Sequence, residues 1–376
     1  MHLQHADDNN DNQGTDIQLR VLLCPDQPSW AFDNIAKNIA EFSGANQVFK
    51  LYMQDIIGNE HLLFEKIFLN RIDLCHLFWR EDFFYLLHPQ TIDNMAGQLG
   101  LDYETLVRAI NGCAFTSSVY DHLFSSHEEL QARRTGFALL DGYTVSSHKL
   151  HSIYTSESGL PPPDKIIPDG VDTAHFTPRK ADATSTGKFA IGWAGNSAWG
   201  IESQGYDVKG YQRLFRPVME DLAERGHVVE EIVANPQVKR IPFSEMPDFY
   251  RKLDVFVCTS DMEGTPNTVL EAMACGIPIV TTDVGIVTEA FGDLQKKFII
   301  HQTEIDEFAN GLAQLLDDAN LRRAISTENR TRALDWTWEK QTKDWWPFWN
   351  AALMRATENR TAIRREFSLL SRKAFL

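Results

Sequence analysis

The sequence predicts an α/β protein built from two doubly wound domains that face one another across a cleft. Three observations carry that prediction. The chain has 376 residues, enough for two domains that each bury a core. Short apolar runs alternate with helical patterns in two successive series, the order that gives a parallel sheet covered on both faces. Between the two series lies a polar stretch, 179–187, without apolar period, which reads as a linker.

Residues 1–15 are polar and rich in Asp, Asn and Gln, and a disordered tail is expected there. The first domain, 16–178, opens with a strand over 16–24. Further strands are expected near 47–53, 72–78, 114–116 and 143–146, with helices over 35–42 and 103–110 between them. The second domain, 188–336, begins with the apolar run 189–195, continues through a helix over 210–225, and returns as strands over 227–234 and 254–259. The remainder, 337–376, is helical in pattern and crowded with aromatics: Trp336 precedes Trp338, Trp345, Trp346 and Trp349. Such side chains are expected to pack C-terminal helices back onto the body of the protein. The last residues, 354–376, combine a basic excess with Ile363, Phe367, Leu370 and Ala374 at helical spacing. Docking onto the first domain is the favoured reading of this tail; an interfacial amphipathic helix is the other.

The apolar fraction of 43% and charged fraction of 23% are those of a soluble globular protein. A net charge of −16 argues against nucleic acid as partner, since neutralising phosphates calls for a basic face. The five cysteines, Cys24, Cys75, Cys113, Cys258 and Cys275, lie scattered and mostly in apolar runs, without zinc spacing or a disulfide framework, as buried thiols of a reducing compartment do. There is no apolar run of ~20 residues and no signal-peptide order at the N-terminus. A cytoplasmic protein is expected, peripheral to the inner membrane face only if the C-terminal tail touches it.

The most informative segment runs from Glu263 through Gly264, Thr265, Pro266, Asn267 and Thr268 to Glu271 and on to Gly276. Thr265 is suited to cap a short helix, Pro266 to open it and Gly276 to end it in a left-handed turn, after which 277–282 reads as a buried strand. The start of that helix offers free N–H groups and partial positive charge to a phosphate. Glu263 and Glu271 would flank the anion and accept hydrogen bonds from sugar or ribose hydroxyls, while Gly264 permits close backbone approach. This outlines a nucleotide-sugar pocket. Upstream, Lys209 follows the irregular Gly-rich stretch 195–205 and opens a helix, so its ammonium can sit over a diphosphate.

Glu263, seven intervening residues and Glu271, followed by Ala-Met-Ala-Cys-Gly-Ile-Pro-Ile-Val and then by Gly285 and Glu289, resemble the signature of the retaining family 4 glycosyltransferases. Ile166-Ile-Pro-Asp-Gly-Val-Asp172 with Phe176 and Pro178 is similar to that family's interdomain segment, and Lys209 with Gly210 to its phosphate lysine. The resemblance is strong over 166–338 and weak before it. It implies the GT-B architecture, with a last helix crossing back to the first domain, and retention at the anomeric carbon. It also implies that Glu263 contacts the donor sugar, that Glu271 holds its ribose, that Asn267 and Thr268 reach the distal phosphate and that Gly285 lies in a donor-contacting loop. Where the family carries a loop arginine, this chain has Asn196 or Ser197, so a second cation must come from Lys239, Arg240 or Arg80. Base recognition is expected from the backbone around 240–243.

In the first domain His122, just past a strand end, matches the place of a family histidine near the reacting carbon and could position donor or acceptor. His76 is its rival. Trp79 and Arg80, with Glu81 and Asp82, suggest a site lip beyond a strand, where Arg80 could bind an anionic acceptor or the diphosphate. The early Gly-Gly loop of many relatives is absent. No Asp-x-Asp pattern occurs, and lysine with helix dipole can balance a diphosphate, so metal-independent transfer of a hexose from a nucleotide diphosphate sugar to a glycan or lipid-linked hydroxyl is expected, in cell-surface polysaccharide assembly. The competing readings are an epimerase or phosphorylase of the same architecture and a non-catalytic sugar-binding subunit, which the missing arginine favours.

Overall fold

The computed structural model of the protein describes residues 18–179, 188–201, 205–302 and 304–359. The expected tail at 1–15, nearly all of the linker at 179–187 and the basic segment after 359 lie outside the described residues. Two all-parallel sheets form the frame. The first is built from β1 (Arg20–Cys24), β2 (Gln47–Lys50), β3 (Leu74–Leu77), β4 (Ala114–Val119), β5 (Gly142–Val145) and β6 (Lys165–Ile166) in the order β2-β1-β3-β4-β5-β6. The second comprises β7 (Phe189–Ala194), β8 (Val229–Ala234), β9 (Val255–Cys258), β10 (Ile279–Thr282) and β11 (Ile299–Ile300) in the order β11-β10-β9-β7-β8. In each sheet the chain steps outward one way and then reverses, leaving a crevice between β1 and β3 in one and between β7 and β9 in the other.

Both faces of the central strands are buried, which is why those strands read as continuous apolar runs, whereas the edge strand β8 exposes Glu230 and Glu231. In β1 the period of two divides the residues: Val21 and Leu23 face one layer while Leu22 and Cys24 face the other. β9 does the same, with Val255 and Val257 on one side and Phe256 and Cys258 on the other. The first layer of β1 is covered by helix Ala31–Glu41 and by the C-terminal helix Trp345–Asn359, whose Trp345, Phe348, Trp349, Ala352 and Ala356 recur at helical spacing and are all buried. The aromatic cluster thus seats the last helix on the first domain. Each large aromatic so buried contributes roughly 1.5–3 kcal/mol.

Two crossings of the chain between domains lie side by side. Val171 N donates to Trp336 O at 2.8 Å, and Val171 pairs with Thr337 in an isolated parallel bridge. Gly170 is obligatory at this crossing, because a Cβ there would meet the Trp338 backbone at 2.6 Å. Arg330 locks the outgoing strand by donating to the carbonyls of Thr173 and Phe176 at 3.0 and 2.9 Å. Among the described residues no helix is long and apolar enough to cross a membrane.

Candidate active site between the two domains

The C-terminal ends of the two sheets face one another. From the second domain come Lys209, after β7, and Glu263, after β9, the strands on either side of its crevice. The turn bearing Lys209 is fixed from below: Trp193 Nε1 donates to Thr259 Oγ1 at 2.9 Å, and Thr259 Oγ1 donates to the Lys209 carbonyl at 2.8 Å. Gly210 takes φ +71° with the Thr259 carbonyl directly beneath it, a conformation open to glycine. Asp207 then accepts from the N–H groups of Gly210, Gln212 and Arg213 at 3.0, 2.6 and 3.2 Å, starting the helix.

Held this way, Lys209 Nζ pairs with Glu263 Oε1 at 2.5 Å, both side chains about four-fifths buried. The ammonium also lies 4.8 Å from the centroid of the Trp199 ring, from the Gly-rich loop. Asn196 is spent within that loop and its neighbour, accepting from Ala198 N and Gln237 Nε2 at 3.1 Å each. Ser197 is tied to Asn235.

Helix Asn267–Ala274 begins one residue later than expected. Pro266 occupies the N-cap, and no side chain caps the helix. Thr265 does not cap it; its Oγ1 instead accepts from the backbone N of Asp169 at 3.1 Å. The pull comes from the interdomain segment, which also bonds Asn267: Asn267 Nδ2 donates to Asp169 Oδ2 at 3.1 Å. Burial raises the Asp169 carboxyl to about 7. Gly276 ends the helix at φ +69°, as expected. Glu271, about one turn along, accepts from Tyr250 OH at 2.7 Å; burial raises its pKa to about 7 against the lowering effect of that hydrogen bond.

From the first domain, the His122 imidazole lies beside the backbone and carboxylate of Glu263. Burial, the dominant influence, lowers its pKa, which favours a neutral imidazole. Gly264 and Gly285 make this approach feasible. A Cβ on Gly264 would collide with Ser146 Oγ and the Tyr120 carbonyl, and one on Gly285, at φ +51°, with the Gly264 carbonyl. A cross-domain ion pair, Lys149 Nζ with Asp283 Oδ1 at 2.5 Å, and a polar contact, His148 Nδ1 with Glu289 Oε1 at 3.2 Å, flank the seam.

Beside this seam opens a cavity of about 360 Å³. The second domain lines it with Glu271, Asn267 and Phe243, and the first with Trp30, Asn34 and Lys37. The three first-domain residues belong to the start of helix Ala31–Glu41 and have no local sequence signature that would have singled them out. Thr268 is half-buried at the helix start, and Arg240 is exposed on its loop; neither lines the cavity.

Two expected acceptor-side residues are excluded from the cleft. His76 is fully buried on the face of β3 that meets the C-terminal helix, its ring 4.9 Å from that of Trp345 and 5.6 Å from that of Trp349. It bonds Thr116 Oγ1 at 2.9 Å, and burial drives its pKa down to about 3. Arg80 has no exposed surface; its Nη2 bonds Asp121 Oδ1 at 3.2 Å and the Leu123 carbonyl. It therefore reaches neither an acceptor nor a diphosphate. Trp79, half-buried, precedes helix Arg80–Leu86 and does not line the cavity.

Comparison with known proteins agrees with this geometry. Residues 228–332 match the family described as "Glycosyl transferases group 1". The chain is 33% identical over 117 residues to the lipopolysaccharide core biosynthesis mannosyltransferase LpsB of Rhizobium meliloti, covering 30% of this chain and 33% of that protein. It is 27% identical over 229 residues to a GDP-mannose-dependent alpha-(1-6)-phosphatidylinositol monomannoside mannosyltransferase of Mycolicibacterium smegmatis, covering 53% and 59%. The matches thus span from a third to three-fifths of these relatives' lengths. Among solved structures, a glycosyltransferase from Rickettsia africae superposes with a TM-score of 0.63 at 12% identity over 90% of this chain and 99% of that one. HepE from Anabaena, in complex with UDP and glucose, gives 0.62 at 12% over 89% and 100%. At such identity the likeness is one of fold. The family match is thus confined to residues 228–332 of the second domain, while the chain as a whole shares the two-domain GT-B architecture of these solved structures.

Proposed function

We propose that the protein is a retaining glycosyltransferase that moves a hexose from a nucleotide diphosphate sugar to a hydroxyl of a glycan or lipid-linked acceptor in cell-surface polysaccharide assembly. The observation that carries this reading is the Lys209–Glu263 pair at 2.5 Å, held at the second domain's crevice and covered by His122 from the first. An arriving diphosphate takes over the Lys209 ammonium, and the start of helix Asn267–Ala274 adds N–H groups and partial positive charge. Released from the lysine, Glu263 accepts hydrogen bonds from the sugar. Glu271 takes the ribose hydroxyls at the cavity, giving up Tyr250 or sharing it.

The bond from the anomeric carbon to the phosphate oxygen then breaks as the acceptor oxygen bonds to the same face of the sugar. The acceptor proton passes to the leaving phosphate oxygen. A neutral His122 orients a hydroxyl rather than repelling the oxocarbenium-like centre. Lysine and helix dipole offset the diphosphate charge, so the transfer is metal-independent. Because two relatives are named as GDP-mannose-dependent while a solved neighbour holds UDP, GDP-mannose and UDP-glucose are the first donors to try.

A second reading, a sugar-binding subunit without catalysis, is favoured by the absent loop arginine, since Asn196 stands near its place. Incubating the purified protein with GDP-mannose, UDP-glucose and UDP-GlcNAc, with and without EDTA, and measuring release of nucleoside diphosphate separates the two. Slow donor hydrolysis abolished by Glu263→Gln supports the enzyme; tight binding without any turnover supports the subunit.

A further inference from the structure

We propose that Arg80 is a positioning residue for His122: its buried guanidinium clamps the turn over 121–124 and so sets where the imidazole meets the Glu263 loop. This inference rests on the transferase reading for its kinetic consequence, though not for its structural one. Arg80 is fully buried and follows β3, whereas His122 follows β4, so the clamp joins neighbouring strand ends. One nitrogen, Nη2, holds both Asp121 Oδ1 and the Leu123 carbonyl, the residues on either side of His122. Asp121 Oδ1 tightens the turn further by accepting from Leu123 N at 2.9 Å, and Ser125 Oγ donates to the His122 carbonyl at 2.7 Å.

The turn is not one the chain adopts freely. Phe124 sits at φ +57°, a left-handed conformation that costs a non-glycine residue free energy and persists only where the surroundings over-determine it. Here its ring is held between two cations, Arg80 at 5.6 Å and Arg133 at 4.0 Å from the centroid. Arg133 is itself fixed by Glu81, through Nε at 2.7 Å and Nη2 at 3.3 Å. A residue needed only to fill the core would be apolar. A guanidinium whose Nε and Nη1 lack hydrogen-bond partners is an expensive filler, and the feature it organises is the one that presents His122. The charged groups facing His122 are Asp121, Lys149 and Glu263.

The test follows the His122 ring by NMR in the full chain without donor, its signal assigned by its loss in His122→Gln. In the native protein the ring titrates below the ordinary value near 6.5. In Arg80→Met the midpoint is expected to rise toward that value as the turn loosens, whereas in Asp121→Ala loss of a carboxylate that raises the midpoint opposes the rise, so that variant is read by kcat. In the same variants kcat falls by roughly 10- to 100-fold with donor KM unchanged, the effect of a displaced group rather than of lost binding. Arg80→Lys, which keeps the charge without the fork, lies between. Should Arg80→Met not fold, Arg80→Lys, which leaves every charge facing His122 in place, carries the test alone. An unchanged His122 midpoint in a folded Arg80 variant overturns the proposal, even if kcat falls. If no donor is ever turned over, the functional reading fails while the titration still decides the clamp.

Discussion

Gly264 of the second domain lies against Tyr120 of the first so closely that a Cβ on the glycine would stand under 3 Å from the Tyr120 carbonyl oxygen. Ser146 Oγ closes the same space from β5. The two domains therefore meet backbone to backbone at the point where Glu263 enters the cleft, and any side chain at 264 acts as a wedge.

Gly264→Ala is expected to hold the domains apart while leaving each folded. Small-angle scattering should show a larger radius of gyration than for the native protein. Transfer should fall by roughly 100-fold, the penalty for an ångström of misplacement, while nucleoside diphosphate still binds the second domain. An unchanged radius with full activity would refute the wedge.

The Lys209–Glu263 pair predicts opposite effects of its two halves on nucleoside diphosphate affinity. Lys209→Met removes the cation and should weaken GDP or UDP binding by about 10- to 100-fold, the worth of a charge-assisted contact. Glu263→Gln removes the lysine's internal partner and should leave that affinity equal or improved while transfer is lost. Calorimetric titration of both variants checks the sign; equal weakening in the two would show that the pair does not compete with phosphate.

Glu271 makes the donor-free protein less stable as pH rises. Its folded pKa, raised to about 7 by burial, stands above the ordinary carboxyl value, so the folded state holds the proton more tightly. The stabilisation is complete below the unfolded pKa and is lost as pH rises through the folded one. Glu271→Gln should accordingly raise the melting temperature at pH 8, by about 2–4 °C for each kcal/mol relieved, and leave it unchanged at pH 4.5. A stabilisation independent of pH would contradict the assignment.

Trp349 anchors the C-terminal helix beneath His76. Trp349→Ala should cost about 3–5 kcal/mol in urea unfolding and open the buried His76 ring to water, raising its pKa from about 3 toward the ordinary value. A small loss of stability with His76 still untitratable above pH 4 would show that the helix is held elsewhere.

The donor side of the site was legible because its residues are local. Lys209 with Gly210, and Glu263 through Gly276, each sit in one loop-helix unit whose glycines and helix start are set by neighbours within a few positions. The acceptor side was not. His76 and Arg80 follow the same pattern of strand end and polar cluster as a site lip, yet alternation along β3 turns His76 toward Trp345 and Trp349, and Arg80 folds back onto the turn after β4. Thr265 reads as a helix cap by every local rule, but Asp169, distant in the chain, claims its hydroxyl.

What the sequence by itself determined was the two alternating series, the inward packing of the tryptophan-rich end, and the presence of a lysine turn and a glutamate loop at strand ends, since short-range sterics and burial periodicity settle these; the return of the last helix to the first domain was implied by the family resemblance. Tertiary structure alone decided which first-domain groups reach the cleft. Trp30, Asn34, Lys37 and Ser146 are brought there by the meeting of the two sheets' C-terminal ends, and a contact that depends on the placement of two separate domains leaves no periodic trace in either.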